Sequence, residues 1–233
     1  MRPLSLHLSL FLLSSLLLLA CSSTPDKVRD TGDSPGDTGS VEIPVVRRVP
    51  AEWEPVEAVW MQWPNPVEAG LREDFARILD VIPAWETVHL LVADEAGAAE
   101  AMSFLAARGV STAKIRFESI PHDWSWMRDN GPVWVLEGER MLVQDWGFDA
   151  WGWEDRYARD DAVPAAVAEH VGLGVETYDL VVERGTLEFN GHDTLITSWP
   201  CLHDRNPDWS REDMEALFME AFGVERVLWL ESY

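Results

Sequence analysis

Two cysteines in 233 residues, 18 basic side chains against 41 acidic ones, and no apolar run of spanning length are what this chain is short of. Each shortage closes something off. With only Cys21 and Cys201 present, and Cys21 read as lipidated below, no intrachain disulfide can brace the fold, so packing must hold it. A net charge of −23 argues against nucleic acid and anionic lipid headgroups as partners and is compatible with drawing in a small cation. The same excess of carboxylate also serves as a plain solubility device. The apolar stretch at residues 4–19 is shorter than the roughly 20 residues that a spanning helix needs.

That stretch nevertheless has a reading. Arg2, the apolar and serine-rich run, then Ala20 and Cys21 form the basic, apolar and small-residue parts of an export signal. Residues 16–21 resemble a bacterial lipobox, which implies cleavage before Cys21 and a diacylglycerol thioether on its sulfur. An uncleaved anchor helix fits the same residues, and either reading places the protein at a cell-envelope membrane. Residues 22–44 are rich in Ser, Thr, Asp, Pro and Gly and have little to bury, so a disordered linker is expected. Their aspartate spacing could serve calcium, but no glutamate follows at the distance an EF-type loop requires. Residues 45–233 are long enough for one domain with a real core. The 13 tryptophans could line a site, although large aromatics mostly supply buried area.

The second half repeats itself. Gly138, Leu142, Val143 and Trp146 recur at the same spacing as Gly191, Leu195, Ile196 and Trp199, and Gly174-Val175-Glu176 recurs as Gly223-Val224-Glu225. Each copy reads as ββαβ. Strands at 133–136 and 141–145 flank Gly138, and strands at 187–189 and 194–197 flank Asn190-Gly191, both hairpin signals. In the first copy Asp161 and Pro164 open a helix that ends near Gly172. In the second, Ser210 caps a helix whose stripe is Met214, Leu217, Phe218, Ala221 and Phe222, ended by Gly223. Closing strands fall at 176–182 and 226–230. The first half, with strands at 56–63, 88–92 and 114–118 and helices at 71–82 and 96–108, reads as a divergent copy with an extra helix and one hairpin strand missing.

The chemistry should lie between the modules, in Asp123-Trp124-Ser125-Trp126-Met127-Arg128-Asp129-Asn130-Gly131-Pro132. A carboxylate on a loop held by a rigid scaffold can accept two parallel N–H bonds from a guanidinium fork. The plainer reading is that Arg128 and Asp129 pair to stabilise the loop. Cys201, His203 and Asp204 supply the elements of a thiol hydrolase, but nucleophile and base must meet in space; a structural cysteine is the competing reading. His192, at a hairpin turn, is expected to be exposed.

Trp126 to Pro132, followed by Asp145-Trp146-Gly147-Phe148-Asp149-Ala150-Trp151-Gly152, resembles the agmatine deiminase family, relatives of bacterial peptidylarginine deiminases in the guanidino-group-modifying superfamily. Pro50 to Pro55, Trp60 to Pro64, Gly191 to Thr197, Cys201-Leu202, Arg205-Asn206-Pro207 and Gly223 to Leu230 extend the likeness over nearly all of the folded region. The resemblance implies a pentein-type α/β propeller of five ββαβ modules, of which about half would be present. It also implies hydrolysis of a small cationic guanidino substrate: agmatine to N-carbamoylputrescine plus ammonia, on a route to putrescine, with no metal or organic cofactor. A cysteine thiolate attacks the amidino carbon, a histidine moves protons and acidic residues grip the guanidinium.

By motif position Asp129 matches the first guanidinium-binding aspartate and Trp126 a pocket aromatic. Glu183 matches the acidic residue that opens a Glu-Gly-Gly segment and helps order the catalytic histidine and ligand. Here that segment is Glu183-Arg184-Gly185, and the arginine adds bulk and positive charge, which bears on the role of Glu183. The family's Gly-His-x-Asp motif and nucleophilic cysteine match no residue before Tyr233. The expectation is therefore a chain inactive alone; the alternative is a non-catalytic, membrane-tethered binder of cationic amines or a structural remnant. The strand at 226–230 is expected to leave an open module edge that invites a partner chain or self-association.

Overall fold

Short apolar runs rich in strand formers make strands of three stretches in the first half of the domain. The computed structural model describes residues 46–232. The expectations for residues 1–21, Cys21 included, and for the linker at 22–44 lie outside the described residues. After a two-residue strand, β1 (Arg47–Arg48), come β2 (Ala58–Gln62), α1 (Arg72–Val81), β3 (Thr87–Val92), α2 (Glu95–Ala106) and β4 (Ile115–Ser119). Strands β2, β3 and β4 form one parallel sheet with β3 in the middle. Val88, Leu90, Val92 and Ile115 bury against Leu79 of α1 and Ala101 and Leu105 of α2. Asp94 fixes the start of α2 by accepting the Gly97 N–H at 2.9 Å.

This first unit has the three strands that the sequence indicates and, among the described residues, no antiparallel hairpin: β2 lies beside β3 in the place that a hairpin strand holds in the other two units. It runs parallel because α1 turns the connection into a crossover, which a parallel pair requires. The extra helix is α1 itself.

A single helical turn, α3 (Met127–Asn130), leads into β5 (Val133–Glu137) and β6 (Arg140–Gly147), an antiparallel hairpin as expected. Then come α4 (Ala158–Asp161), α5 (Val163–Val171) and β7 (Val175–Val181), and the sheet order is β1-β5-β6-β7 with β6 and β7 parallel. Helix α5 ends at Gly172 as the sequence indicates, but Asp161 does not cap it. Asp161 belongs to the short α4, and its carboxylate accepts the Phe148 N–H at 2.8 Å instead.

The last sheet repeats the pattern with β8 (Glu188–Phe189), β9 (Thr194–Ser198), α6 (Trp199–Arg205), α7 (Arg211–Phe222) and β10 (Arg226–Leu230). Strands β8 and β9 are antiparallel, β9 and β10 parallel. Ser210 caps α7 through the Asp213 N–H, and Gly223 closes it in the left-handed region at φ 70. Any side chain at Gly223 would also collide with the Arg47 carbonyl, so β1 seats directly against this cap. Helix α6 was not foreseen. β10 is a sheet edge, with Leu228 and Leu230 exposed.

The largest core cluster joins the second and third sheets through Val135, Trp146, Leu180, Leu195, Met214, Phe218 and Phe222. Arg47 ties the same region together. Its guanidinium donates to Glu137, to Glu176 and to the Ala221 carbonyl at the end of α7. Burial alone would pull Arg47 down, but the hydrogen bonds to Glu176 and Glu137 hold it above its ordinary value. Among the described residues no helix is long and apolar enough to cross a membrane.

Candidate functional site

Three loops that follow the C-terminal ends of β4, β6 and β7 carry the sequence-predicted site residues. The first is fastened by carboxylates. Asp160, fully buried, accepts the N–H groups of Asp123 at 2.8 Å and Trp124 at 3.2 Å, and Asp123 in return accepts the Arg159 N–H at 3.0 Å. Ser125 donates to Glu68 at 3.0 Å. Burial, the dominant cause, pushes the Asp160 carboxyl up to about 6 against the two backbone bonds.

So anchored, the loop enters α3 and presents Asp129 half-buried. Burial raises the Asp129 carboxyl above its ordinary range, while the Trp151 side chain and the Arg128 charge act in the other direction. Gly185 makes the position possible, because a Cβ there would collide with Asp129 Oδ1. Arg128 turns away and bonds Glu52. The Arg128–Asp129 loop pair is thus replaced by Arg128–Glu52, which leaves the Asp129 carboxylate free of its neighbour's hydrogen bonds.

The second loop brings Trp151 to this aspartate as a side-chain hydrogen-bond partner. Ala150, Trp151 and Gly152 stand in succession in the left-handed region, at φ 50, 61 and 71. For the two residues with a Cβ that costs roughly 1–2 kcal/mol each. Asp149 stabilises the turn by accepting the Gly152 N–H at 3.0 Å. Trp151 meets Trp126 edge to face at 6.5 Å and stacks with Trp153 at 5.6 Å. Trp126, just ahead of α3, is 46% exposed, and an indole face that is both open and braced can receive a cation.

The third loop holds Glu183, buried at 4% exposure. One carboxylate oxygen accepts Arg205 Nε at 2.7 Å; the other, Oε2, is buried without a partner. Burial raises this carboxyl, and Arg205 opposes the rise. Arg205 Nε also lies 3.5 Å from Asp149, so one guanidinium links the second and third loops. Asn206 clamps the base by accepting the Val181 N–H at 2.9 Å and donating to its carbonyl at 2.8 Å. Burial and then the Arg128 charge draw the Arg184 guanidinium down to about 10, with Glu52 acting oppositely.

The alternative thiol site does not assemble. Cys201 is a free, partly buried thiol on α6, and His203 two residues on projects to another side of the helix. The His203 ring instead stacks on Trp199 at 4.7 Å. His192 is exposed at the β8–β9 turn, as expected. Asp160, Arg205, Asn206 and Trp151 are the site residues that spacing did not reveal. Arg205, Asn206 and Trp151 stood in the quoted motifs without a role, and Asp160 carried no signal.

The strand ends of these open α/β sheets thus carry two burial-raised carboxylates and two indoles. Residues 48–232 match the model of the Porphyromonas-type peptidyl-arginine deiminase family, and the chain belongs to that family. An agmatine deiminase of Pseudomonas aeruginosa (strain LESB58) is 34% identical over 205 residues, covering 79% of this chain and 53% of that protein. One from Stutzerimonas stutzeri (strain A1501) is 33% identical over 198 residues, 78% of this chain and 52% of its own length. Among solved structures, the agmatine deiminase of Enterococcus faecalis superposes with a TM-score of 0.72 at 27% identity, over 79% of this chain and 53% of that one. The C. jejuni agmatine deiminase with substrate bound, at TM-score 0.70 and 21% identity, supports the fold. This chain spans about half the length of the relatives it matches.

Proposed function

We propose that residues 46–232 form the guanidinium-binding part of an agmatine deiminase-type hydrolase, which takes agmatine to N-carbamoylputrescine and ammonia in putrescine synthesis. The observation that carries this reading is the Asp129 carboxylate, half-buried, hydrogen-bonded by the Trp151 side chain and given room by Gly185. In it Asp129 accepts the guanidinium fork, Trp126 covers the cation's π-face, and Glu183 offers the oxygen that Arg205 leaves free. The three sheets are, in this proposal, blades of a pentein-type propeller of five ββαβ modules, with β10 an edge that seeks a further strand. Export and a lipid on Cys21 would hold the protein at the cell envelope; mass spectrometry of native material reads out that lipid.

Covalent hydrolysis of an amidino carbon needs a thiolate and a proton-moving imidazole. Cys201 and His203 do not face one another on α6, and this favours inactivity of the chain alone, with a non-catalytic, membrane-tethered binder of cationic amines or a structural remnant as the second reading. Calorimetry tests the binding site, and an ammonia assay tests the inactivity. Agmatine should bind the purified chain, and Asp129→Asn should weaken that binding by about tenfold or more, the loss of one charge-assisted pair. Absence of heat with agmatine defeats the binding site. Ammonia release by the same material defeats the inactivity.

A further inference from the structure

Where the β2-β3-β4 sheet meets α5, two side chains from the sheet face and one from the helix form a ligand-type cluster with no part in the guanidinium site. Glu118 on β4 is in register with Leu91, two residues along β3 from His89, so His89 and Glu118 project from one face. His170 reaches them from the last turn of α5. His89 Nδ1 lies 2.7 Å from one Glu118 oxygen, and His170 Nε2 lies 3.3 Å from the other. The three ligand atoms are all within 4.8 Å of one another. The rings are held in place: Trp60 stacks on His89 at 4.3 Å and 14°, and meets His170 edge-on at 6.0 Å.

We propose that His89, Glu118 and His170 bind a divalent transition-metal ion of the zinc class, clamping the end of α5 to β3 and β4. Two imidazoles and a carboxylate suit such an ion, whereas calcium and magnesium demand oxygen-rich shells. Ligand bonds of about 2.0–2.2 Å around a tetrahedral ion separate the donor atoms by about 3.3–3.6 Å, so the His170 contact already fits and the His89 contact must open by roughly 0.6 Å or more. His89 and Glu118 side chains are 19% and 13% exposed while His170 is 40% exposed, so the fourth position opens to water on the His170 side. A plain ion-pair network uses the same contacts but needs a proton on each nitrogen that faces Glu118. A metal needs both nitrogens bare.

The test uses the full chain stripped with chelator and then titrated with Co2+, followed by Zn2+ competition. The expected result is a four-coordinate Co2+ visible spectrum at one equivalent, displaced by Zn2+. At Zn2+ a hundredfold above Kd the melting temperature should rise by roughly 5–10 °C. His170→Gln and Glu118→Gln should each weaken binding by about a hundredfold or more, and Cys201→Ser should leave it unchanged. No four-coordinate spectrum in the unsubstituted chain, an affinity unaltered by both ligand variants, or a signal lost with Cys201→Ser would each overturn the proposal.

Discussion

Replacing Asp160 with asparagine should flatten part of the stability–pH curve, with a sign opposite to that of an ordinary salt-bridged carboxylate. The Asp160 carboxyl stands at about 6 in the folded protein, against an ordinary aspartate value of 3.8. The folded state therefore keeps a proton that the unfolded chain has released. Its contribution to stability is full below about pH 3.8 and is lost as pH rises through about 6. A shift of about two units is worth about 3 kcal/mol over the whole window, and about 1 kcal/mol of that falls between pH 5 and pH 7. Asparagine keeps an acceptor for the Asp123 and Trp124 N–H groups and does not titrate. Urea unfolding followed by tryptophan fluorescence at pH 5, 6 and 7 measures both proteins. The stability of the unsubstituted chain relative to Asp160→Asn should fall by about 1 kcal/mol from pH 5 to pH 7. A difference that stays constant, or grows with pH, would refute the claim that burial dominates at this carboxyl.

Gly185→Ala should push Asp129 out of place, lowering agmatine affinity by calorimetry about tenfold or more, with the rest of the fold retained. Arg47→Met should cost about 2–4 kcal/mol in urea unfolding, because Glu137 and Glu176 are left without their shared partner. Ala150→Gly should be close to neutral in the same assay, within about 1 kcal/mol, because relief of the left-handed position is offset by loss of a fully buried methyl. Arg184→Gly should tighten agmatine binding by removing a positive charge from beside the site, measured again by calorimetry.

Local patterns in the sequence read well where the physics is local. The Gly138 and Asn190-Gly191 hairpins, the Ser210 cap, the Gly172 and Gly223 stops and the apolar stripe of α7 all depend on residues within a turn or two of one another. The direction of β2 was not legible, because it follows from what α1 does between the strands. At the site, Asp129, Trp126 and Glu183 were visible through motif likeness. Arg205 and Asp160 were not, since each acts through a backbone or side chain 22 or more residues away. The His89–Glu118–His170 cluster was equally hidden, because a sheet register and a helix end from different units bring it together.

The costs built into the site and its proposed ligand are two sides of one balance. Asp129 and Glu183 are desolvated, and one Glu183 oxygen is buried with nothing to bond. Trp151 and Ala150 are held in an unfavourable backbone region. A guanidinium supplies what burial has taken away, a charge and a planar set of N–H donors, so binding should relieve the carboxylates that folding has strained. By linkage, a cation that binds only the folded state raises its stability by RT ln(1 + [L]/Kd), about 3 kcal/mol at a hundredfold excess over Kd. Agmatine should therefore raise the melting temperature of the chain and lower the carboxyl groups of Asp129 and Glu183 together. In Asp129→Asn the thermal shift at the same agmatine concentration should fall to about half or less while Glu183 keeps its raised value; an undiminished shift would place the cation elsewhere.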